Sequence, residues 1–295
     1  MEVALRIGGE VVSADSMLVY RHMNIGTAKP TISQQRNVPH HLIDIIEPHE
    51  QHSVAMFVSM AKEAIEDIHR RGKLPILVGG TGFYIKHLIY NNKIMLINET
   101  TQDEDFRRRM QLIANEKGVL ELHNILVKID SEAASRIHPN NVKRVIRALE
   151  HNYITETKFS DNLPHSKSTA SPYDLIFYVI SACDRSVLYE RINNRVDSMI
   201  ASGLVAEVRS LLYMGVSPEA VSMQGVGYKE VVAHLLGGVA LAEAVENVKR
   251  NTRKLAKRQI TWFKHQAGSD CNWKYIDVHV NKCIIDNILV SVNTK

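Results

Sequence analysis

Residues 74–90 read LPILVGGTGFYIKHLIY. The first five residues form a continuous apolar run, as expected for a strand buried on both faces of a sheet. Gly79-Gly80-Thr81-Gly82 is a tight turn, and residues 83–90 carry a helical pattern. Upstream, Val54, Phe57, Val58, Ala61, Ile65 and Ile68 recur at helical spacing over residues 54–71, and Gly72 ends that helix. Before it lies GGEVVSADSMLVYRHMNIGTAKP, residues 8–30, in which residues 11–14 read as a strand opening into a polar loop at Asp15. HLIDII, residues 41–46, reads as another strand. Strands alternating with helices predict an α/β domain with a parallel sheet.

Downstream of Asn91 the character changes. Residues 98–160 are highly charged and helical, with helices expected over 103–117, 119–129, 131–137 and 141–153; His138-Pro139 stops the third. Residues 161–172 read as a linker. The α/β character returns with DLIFYVI, residues 174–180, after which Asp184 caps a helix starting near Ser186. Helices follow through Met214, over 227–236 and over 241–265; the last thirty residues are weakly patterned. The predicted division is a core over 1–97, a helical insertion over 98–165, and the rest of the core, with a basic helix, over 166–295.

The chain has 295 residues, ample for a large core. It lacks the run of roughly 18–20 apolar residues that a membrane span needs and the basic-then-apolar start of a signal peptide. Cys183, Cys271 and Cys283 are far apart, which argues against a disulfide framework or a zinc site. A cytoplasmic protein is expected. The net charge of +4 is mild, but residues 247–264 hold seven Lys or Arg and no Asp or Glu. Such a block is either a solvated helix face or a phosphate-binding surface.

Asp15 and Thr81 both follow a strand, and in open α/β sheets the ligand crevice lies at the carboxyl ends of the strands. A carboxylate there can serve as a general base or a metal ligand. A hydroxyl in a glycine turn can bond a phosphate or a substrate amine. The bland alternatives are a turn cap and a tight turn. His40, His41 and Asp44 match no zinc spacing, His49 and His52 read as surface loop residues, and Trp262 and Phe263 could stack on bases but, closing an amphipathic helix, read more readily as core residues.

Seven stretches occur in register: SADSMLVYRHMNIGTAKP, VPHHLIDI, LVGGTGFYIKHLI, HPNNVKRVIRALE, ERINNRVDSMIASGLVAEV, MQGVGYKE and TRKLAKRQITWF. Together they closely resemble the tRNA dimethylallyltransferases, or tRNA isopentenyltransferases, in their short bacterial form. The resemblance implies a P-loop-kinase-like parallel sheet with a helical insertion that grips tRNA. It implies dimethylallyl transfer from the diphosphate to the exocyclic amine of the adenosine 3′ of the anticodon, with Asp15 as base and Thr81 against the target base or amine. Ser16, Met17 and Leu18 would lie along the target nucleotide. Lys29, Arg107, Lys143, Arg144, Arg147, Arg253, Lys257 and Arg258 would contact tRNA. Gln224 stands where some members carry an arginine that reaches the diphosphate. Mg²⁺, the tRNA anticodon stem-loop and dimethylallyl diphosphate are the implied cofactor and partners; a monomer and no membrane contact are expected.

One departure is large. The family's phosphate-binding loop, G-x-x-x-x-G-K-[ST], is absent from this sequence. Residues 2–7 resemble the back half of the helix that follows it. The expectation is that the first strand and the loop lie before Met1, about fifteen to twenty-five residues upstream, and that the chain as it stands has lost most of its pyrophosphate and Mg²⁺ site. A tRNA-binding protein without transferase activity is the main alternative, and a nucleotide kinase the weaker one.

Overall fold

The computed structural model describes residues 1–90, 103–162, 171–181, 184–266, 274–277 and 281–293. The chain divides into two compact units: residues 1–89 with 171–295, and residues 90–170.

In the first unit, helix α1 (Glu2–Ile7) ends on Gly8, which adopts a left-handed φ of 64° and so turns the chain into strand β1 (Glu10–Ser13) at little cost. All four β1 residues are buried. A short helix, α2 (Ile32–Gln35), precedes strand β2 (His40–His41). Helix α3 (Val54–Arg70) is capped by Ser53, whose Oγ accepts the Met56 N–H at 3.1 Å. It buries Phe57, Val58, Ala61, Ile65 and Ile68, the face its periodicity predicts. Strand β3 (Pro75–Val78) and helix α4 (Gly82–Ile89) follow. The three strands form a parallel sheet in the order β2-β1-β3, with β1 central and Ser13 level with Val78.

The second unit packs α5 (Glu104–Glu116), α6 (Val119–Ile129), α7 (Ser131–Arg136) and α8 (Val142–Thr155) around Phe106, Leu122, Leu126, Val145 and Leu149. Back in the first unit, β4 (Tyr178–Ser181) pairs in parallel with β5 (Lys274–Asp277). Between them in sequence run α9 (Arg185–Ala201), α10 (Leu204–Tyr213), α11 (Tyr228–Gly237) and the long α12 (Leu241–Gln266); α13 (Asn281–Asn293) follows β5. Asp184 caps α9, accepting the Ser186 N–H at 2.8 Å.

Three expectations need correcting. HLIDII is not a strand: only His40 and His41 pair with β1, because Leu42 and Asp44 take left-handed φ values of 63° and 56° and lead the chain off the sheet. Ile46 returns through a single parallel bridge to Tyr20. The LPILV strand is half-buried, with Val78 exposed; β3 pairs with β1 on one side and, among the described residues, with no strand on the other. The weakly patterned terminus holds a strand and a helix. Most of the expected linker, residues 163–170, lies outside the described residues.

Glu10 begins β1 with its side chain fully buried. Arg71 grips both carboxylate oxygens, Lys73 Nζ lies 2.8 Å from Oε1, and His41 Nε2 lies 2.8 Å from Oε2. The amino end of the central strand is thus tied to β2 and to the α3–β3 connection by one carboxylate.

Candidate active site

The carboxyl end of β1 is built differently. The Ala14 N–H donates to Val78 O at 2.7 Å, and the Thr81 N–H donates to Ala14 O at 3.2 Å, so the ladder continues into both loops. Gly79 permits this approach: a Cβ there would fall 2.3 Å from the carbonyl carbon and oxygen of Ala14. The turn therefore sits over the end of β1, and Asp15 and Thr81 come together at the sheet edge. The Ser16 N–H donates to Thr81 Oγ1 at 3.1 Å, and Thr81 Oγ1 lies 3.4 Å from Ser16 Oγ. Asp15 Oδ1 accepts the Met17 N–H at 2.8 Å, a local turn that fixes the side chain. Its other oxygen has no hydrogen-bond partner among the described residues. Ser16, Met17 and Leu18 are half-buried along the same loop, and Met17 presses on Gly225, where a Cβ would lie 2.5 Å from Met17 Cε.

Helix α12 backs the glycine turn. Gln259 Nε2 donates to Gly80 O at 3.1 Å. The six-membered ring of Trp262 fills the space that a Cβ on Gly82 would need. Gly79→Ala is expected to destabilise the protein by about 2 kcal/mol, because backbone on both strands must separate. Thermal melting checks this; an unchanged melt would mean the turn tolerates the methyl group.

The loop after Asp15 is pinned by Glu207 on α10, which accepts the N–H groups of Asn24, Ile25 and Gly26 at 2.9, 2.8 and 3.1 Å and the Tyr228 hydroxyl at 2.7 Å. Burial, then the Glu207 charge, pushes the Tyr228 hydroxyl well above its ordinary pKa. Sequence reasoning missed this clamp, because the spacing of Glu207 and Tyr228 gives no sign that they meet the loop after Asp15.

The predicted cations separate into several kinds. Lys29 is not presented to solvent: its side chain is buried, and Nζ bonds Tyr20 O at 2.6 Å and pairs with Asp44. Its charge is therefore already paired with a carboxylate. Arg253 donates to Asn193 Oδ1 at 2.6 Å and lies over Tyr189, so it joins α12 to α9. Lys257 and Arg258 are exposed, together with Lys254, and have no carboxylate within ion-pair reach among the described residues. They line a groove of about 750 Å³ with Lys229 and Trp262. In the second unit, Arg107 and Arg147 share the buried Glu150 at 2.7–2.8 Å and line a groove of about 670 Å³ with Arg108 and Lys143, while Arg144 is exposed. Burial raises the Glu150 carboxyl pKa, but the hydrogen bonds from Arg107 and Arg147 outweigh it and leave it lowered. The Gln224 amide donates to Pro218 O at 2.8 Å, a contact within its own loop.

Mg²⁺ takes oxygen ligands in near-octahedral order. Among the described residues no group of three or more His, Cys, Asp or Glu side chains could hold a metal ion. Asp15 offers one carboxylate whose Oδ1 already accepts the Met17 N–H, so these residues do not fit a protein-built Mg²⁺ site. No helix among the described residues is long and apolar enough to cross a membrane.

The family model for IPP transferase matches residues 18–266. The chain belongs to the IPP transferase family. It is 47% identical over 278 residues to the tRNA dimethylallyltransferase of Caldanaerobacter subterraneus, covering 94% of this chain and 87% of that one. It is 46% identical over 266 residues to that of Halalkalibacterium halodurans, covering 90% and 83%. Among solved structures, the full-length tRNA isopentenylpyrophosphate transferase of Bacillus halodurans superposes with a TM-score of 0.67 at 42% identity, over 98% of this chain and 90% of that one. A eukaryotic dimethylallyltransferase solved acting on tRNA superposes with a TM-score of 0.77 at 30% identity, over 98% and 75%. The parallel α/β core described here is therefore that of IPP transferases, with a phosphate-loop-like architecture, and IPP transferases of this kind are prenyl-transferring enzymes.

Proposed function

We propose that this chain transfers a dimethylallyl group from dimethylallyl diphosphate to the exocyclic amine of the adenosine 3′ of the anticodon in tRNA. The observation that carries this is the Asp15–Thr81 pair, drawn together over the end of β1 with one Asp15 oxygen open. The adenine amine attacks the carbon that bears the diphosphate. A C–N bond forms, the C–O bond to diphosphate breaks, and Asp15 takes the proton the amine loses. Thr81, held by Ser16, lies beside the base, which must leave its stack to reach this edge. The relatives' names support tRNA as the substrate. The test is incubation of the full-length protein with dimethylallyl diphosphate, Mg²⁺ and an anticodon stem-loop, scored for prenylated adenosine. RNA binding without product would favour a binding protein instead.

The second unit is the proposed grip on the anticodon stem. Arg107 and Arg147 are committed to Glu150, so Lys143 and Arg144 are the cleaner pair to neutralise. Lys143→Ala with Arg144→Ala is expected to weaken stem-loop binding and to flatten the slope of log affinity against log salt by roughly 1 to 2. An unchanged slope would remove α8 from the interface.

A further inference from the structure

The Glu207 carboxylate on α10 is fully occupied by the protein itself. Oε2 accepts the N–H groups of Asn24 and Ile25, and Oε1 accepts the Gly26 N–H and the Tyr228 hydroxyl, all at 2.7–3.1 Å. A carboxylate has about four acceptor sites, so these bonds leave Glu207 none for a substrate. Successive N–H groups that converge on one anion make a backbone nest, and here the anion is a side chain. Burial and the Glu207 charge keep the Tyr228 hydroxyl protonated, so it remains a donor. Its ring lies against Gly26, where a Cβ would fall 2.5 Å from Tyr228 Cε2.

The loop that ends in this nest begins at the reacting edge. Asp15 follows β1, and the chain runs on through Ser16, Met17 and Leu18. Val19, Tyr20 and Met23 are then buried in one cluster with Leu204, Val208 and Leu211 of α10. Apolar burial holds the loop down, but it is non-directional and does not by itself fix where the loop sits along α10. The hydrogen bonds of residues 24–26 are directional and do fix it. Met17, pressed on Gly225, is a second fixed point nearer Asp15.

We propose that Glu207 is a positioning residue for the transfer: by holding residues 24–26 it sets the segment 15–18, and with it the Asp15 carboxylate, against the target amine. The proposal rests on the reading of Asp15 as the base and adds to it the group that holds the base's loop in register. Glu207 touches no substrate. It acts through the loop, and the chemistry is sensitive to such action because a displacement of about 1 Å at a reacting group can cost roughly 10²-fold in rate.

Glu207→Ala and Glu207→Gln test this in the full-length protein, at a temperature where melting shows each variant folded. The readouts are single-turnover transfer with stem-loop and dimethylallyl diphosphate saturating, and the affinity for each. Glu207→Ala is expected to slow transfer by roughly 10- to 100-fold while both affinities stay within a few-fold. Glu207→Gln keeps one acceptor oxygen and should fall between this and the parent. Acetate matches the missing Cγ and carboxylate, so it should restore much of the Glu207→Ala rate, whereas chloride at equal ionic strength should not. Added to Asp15→Asn, either variant should slow transfer little further, because residues that act as one unit are non-additive. A lowered melting temperature with the full rate kept by the folded protein would make Glu207 structural only and overturn the proposal. A loss of stem-loop affinity at unchanged rate, a slowed rate that acetate leaves unrestored, or a full further loss on Asp15→Asn would overturn it as well. Where Glu207→Ala does not fold, Glu207→Gln carries the rate and non-additivity tests alone. Product formed by the parent protein in any of these cases leaves the transferase reading standing, and no product from the parent overturns both.

Discussion

Asp15→Asn lowers dimethylallyl transfer by ~10²-fold or more while the anticodon stem-loop still binds: that is the expected result if Asp15 is the base. The substitution is chosen for what it preserves. An asparagine Oδ1 can still accept the Met17 N–H that Asp15 accepts at 2.8 Å, so the loop over residues 15–18 keeps its turn. What disappears is a group able to take a proton from the adenine amine. The loop is also held independently, by Thr81 through Ser16 and by Glu207 further along, so a fall in rate would not follow from loss of structure. Single-turnover transfer and RNA affinity, measured on the same preparation, separate the outcomes. Loss of affinity equal to the loss of rate would make Asp15 a binding or structural residue. A rate within a few-fold of the original would mean that the amine's proton leaves to water. Thr81→Val serves as the companion: it removes the acceptor for the Ser16 N–H, so it should disturb placement as well as rate.

The parts of this structure that were legible in the sequence are those in which local pattern and tertiary role agree. The α3 face is buried where its periodicity says, the helices of the second unit start and stop near their capping residues, and Asp15 and Thr81 meet because parallel strands in register bring their carboxyl ends level. The parts that were not legible depend on partners far away in sequence. HLIDII has strand composition, yet its two left-handed residues are set by loop contacts, among them the Asp44 N–H to Leu18 O and the Ile45 N–H to Val19 O. Residues 274–277, KYID, alternate so briefly that only pairing with β4 makes them a strand. The cations show the same limit. Spacing placed Arg253, Lys257 and Arg258 on one helix, but only packing separates an arginine bonded to Asn193 from two that face a groove. Lys29, named only as an implied tRNA contact, has a buried side chain paired with Asp44, which no spacing shows.

Glu10→Ala is expected to cost about 3 kcal/mol, which lowers the melting temperature by roughly 6 to 12 °C. The carboxylate has no exposure of its own, and both its oxygens are occupied. Arg71 and Lys73 are partly exposed, at 39% and 44%, so they can turn toward water once it is gone, which places the loss at the low end for a buried pair. The hydrogen bond from Arg71 is the largest influence on its pKa. Burial opposes it, Lys73 and His41 reinforce it, and the net effect holds the carboxyl well below the ordinary range. The sign of the pH dependence follows. A depressed folded pKa gives stability that is present above the unfolded value, about 4.3, and is lost as pH falls below it toward the folded value. Glu10→Gln keeps the shape and removes the charge, so the gap between it and the parent protein should be full at neutral pH and should narrow progressively below about pH 4. Urea midpoints measured for both proteins from pH 7 to pH 3 test this. A gap that does not change with pH would mean that packing, not charge, makes Glu10 matter. Activity gives a second reading of the same strand. Glu10 anchors the amino end of β1 while Asp15, the proposed base, lies just beyond its carboxyl end, so under conditions where Glu10→Gln is still folded its transfer rate should stay near that of the parent, because Ala14 and Thr81 fix the far end without it.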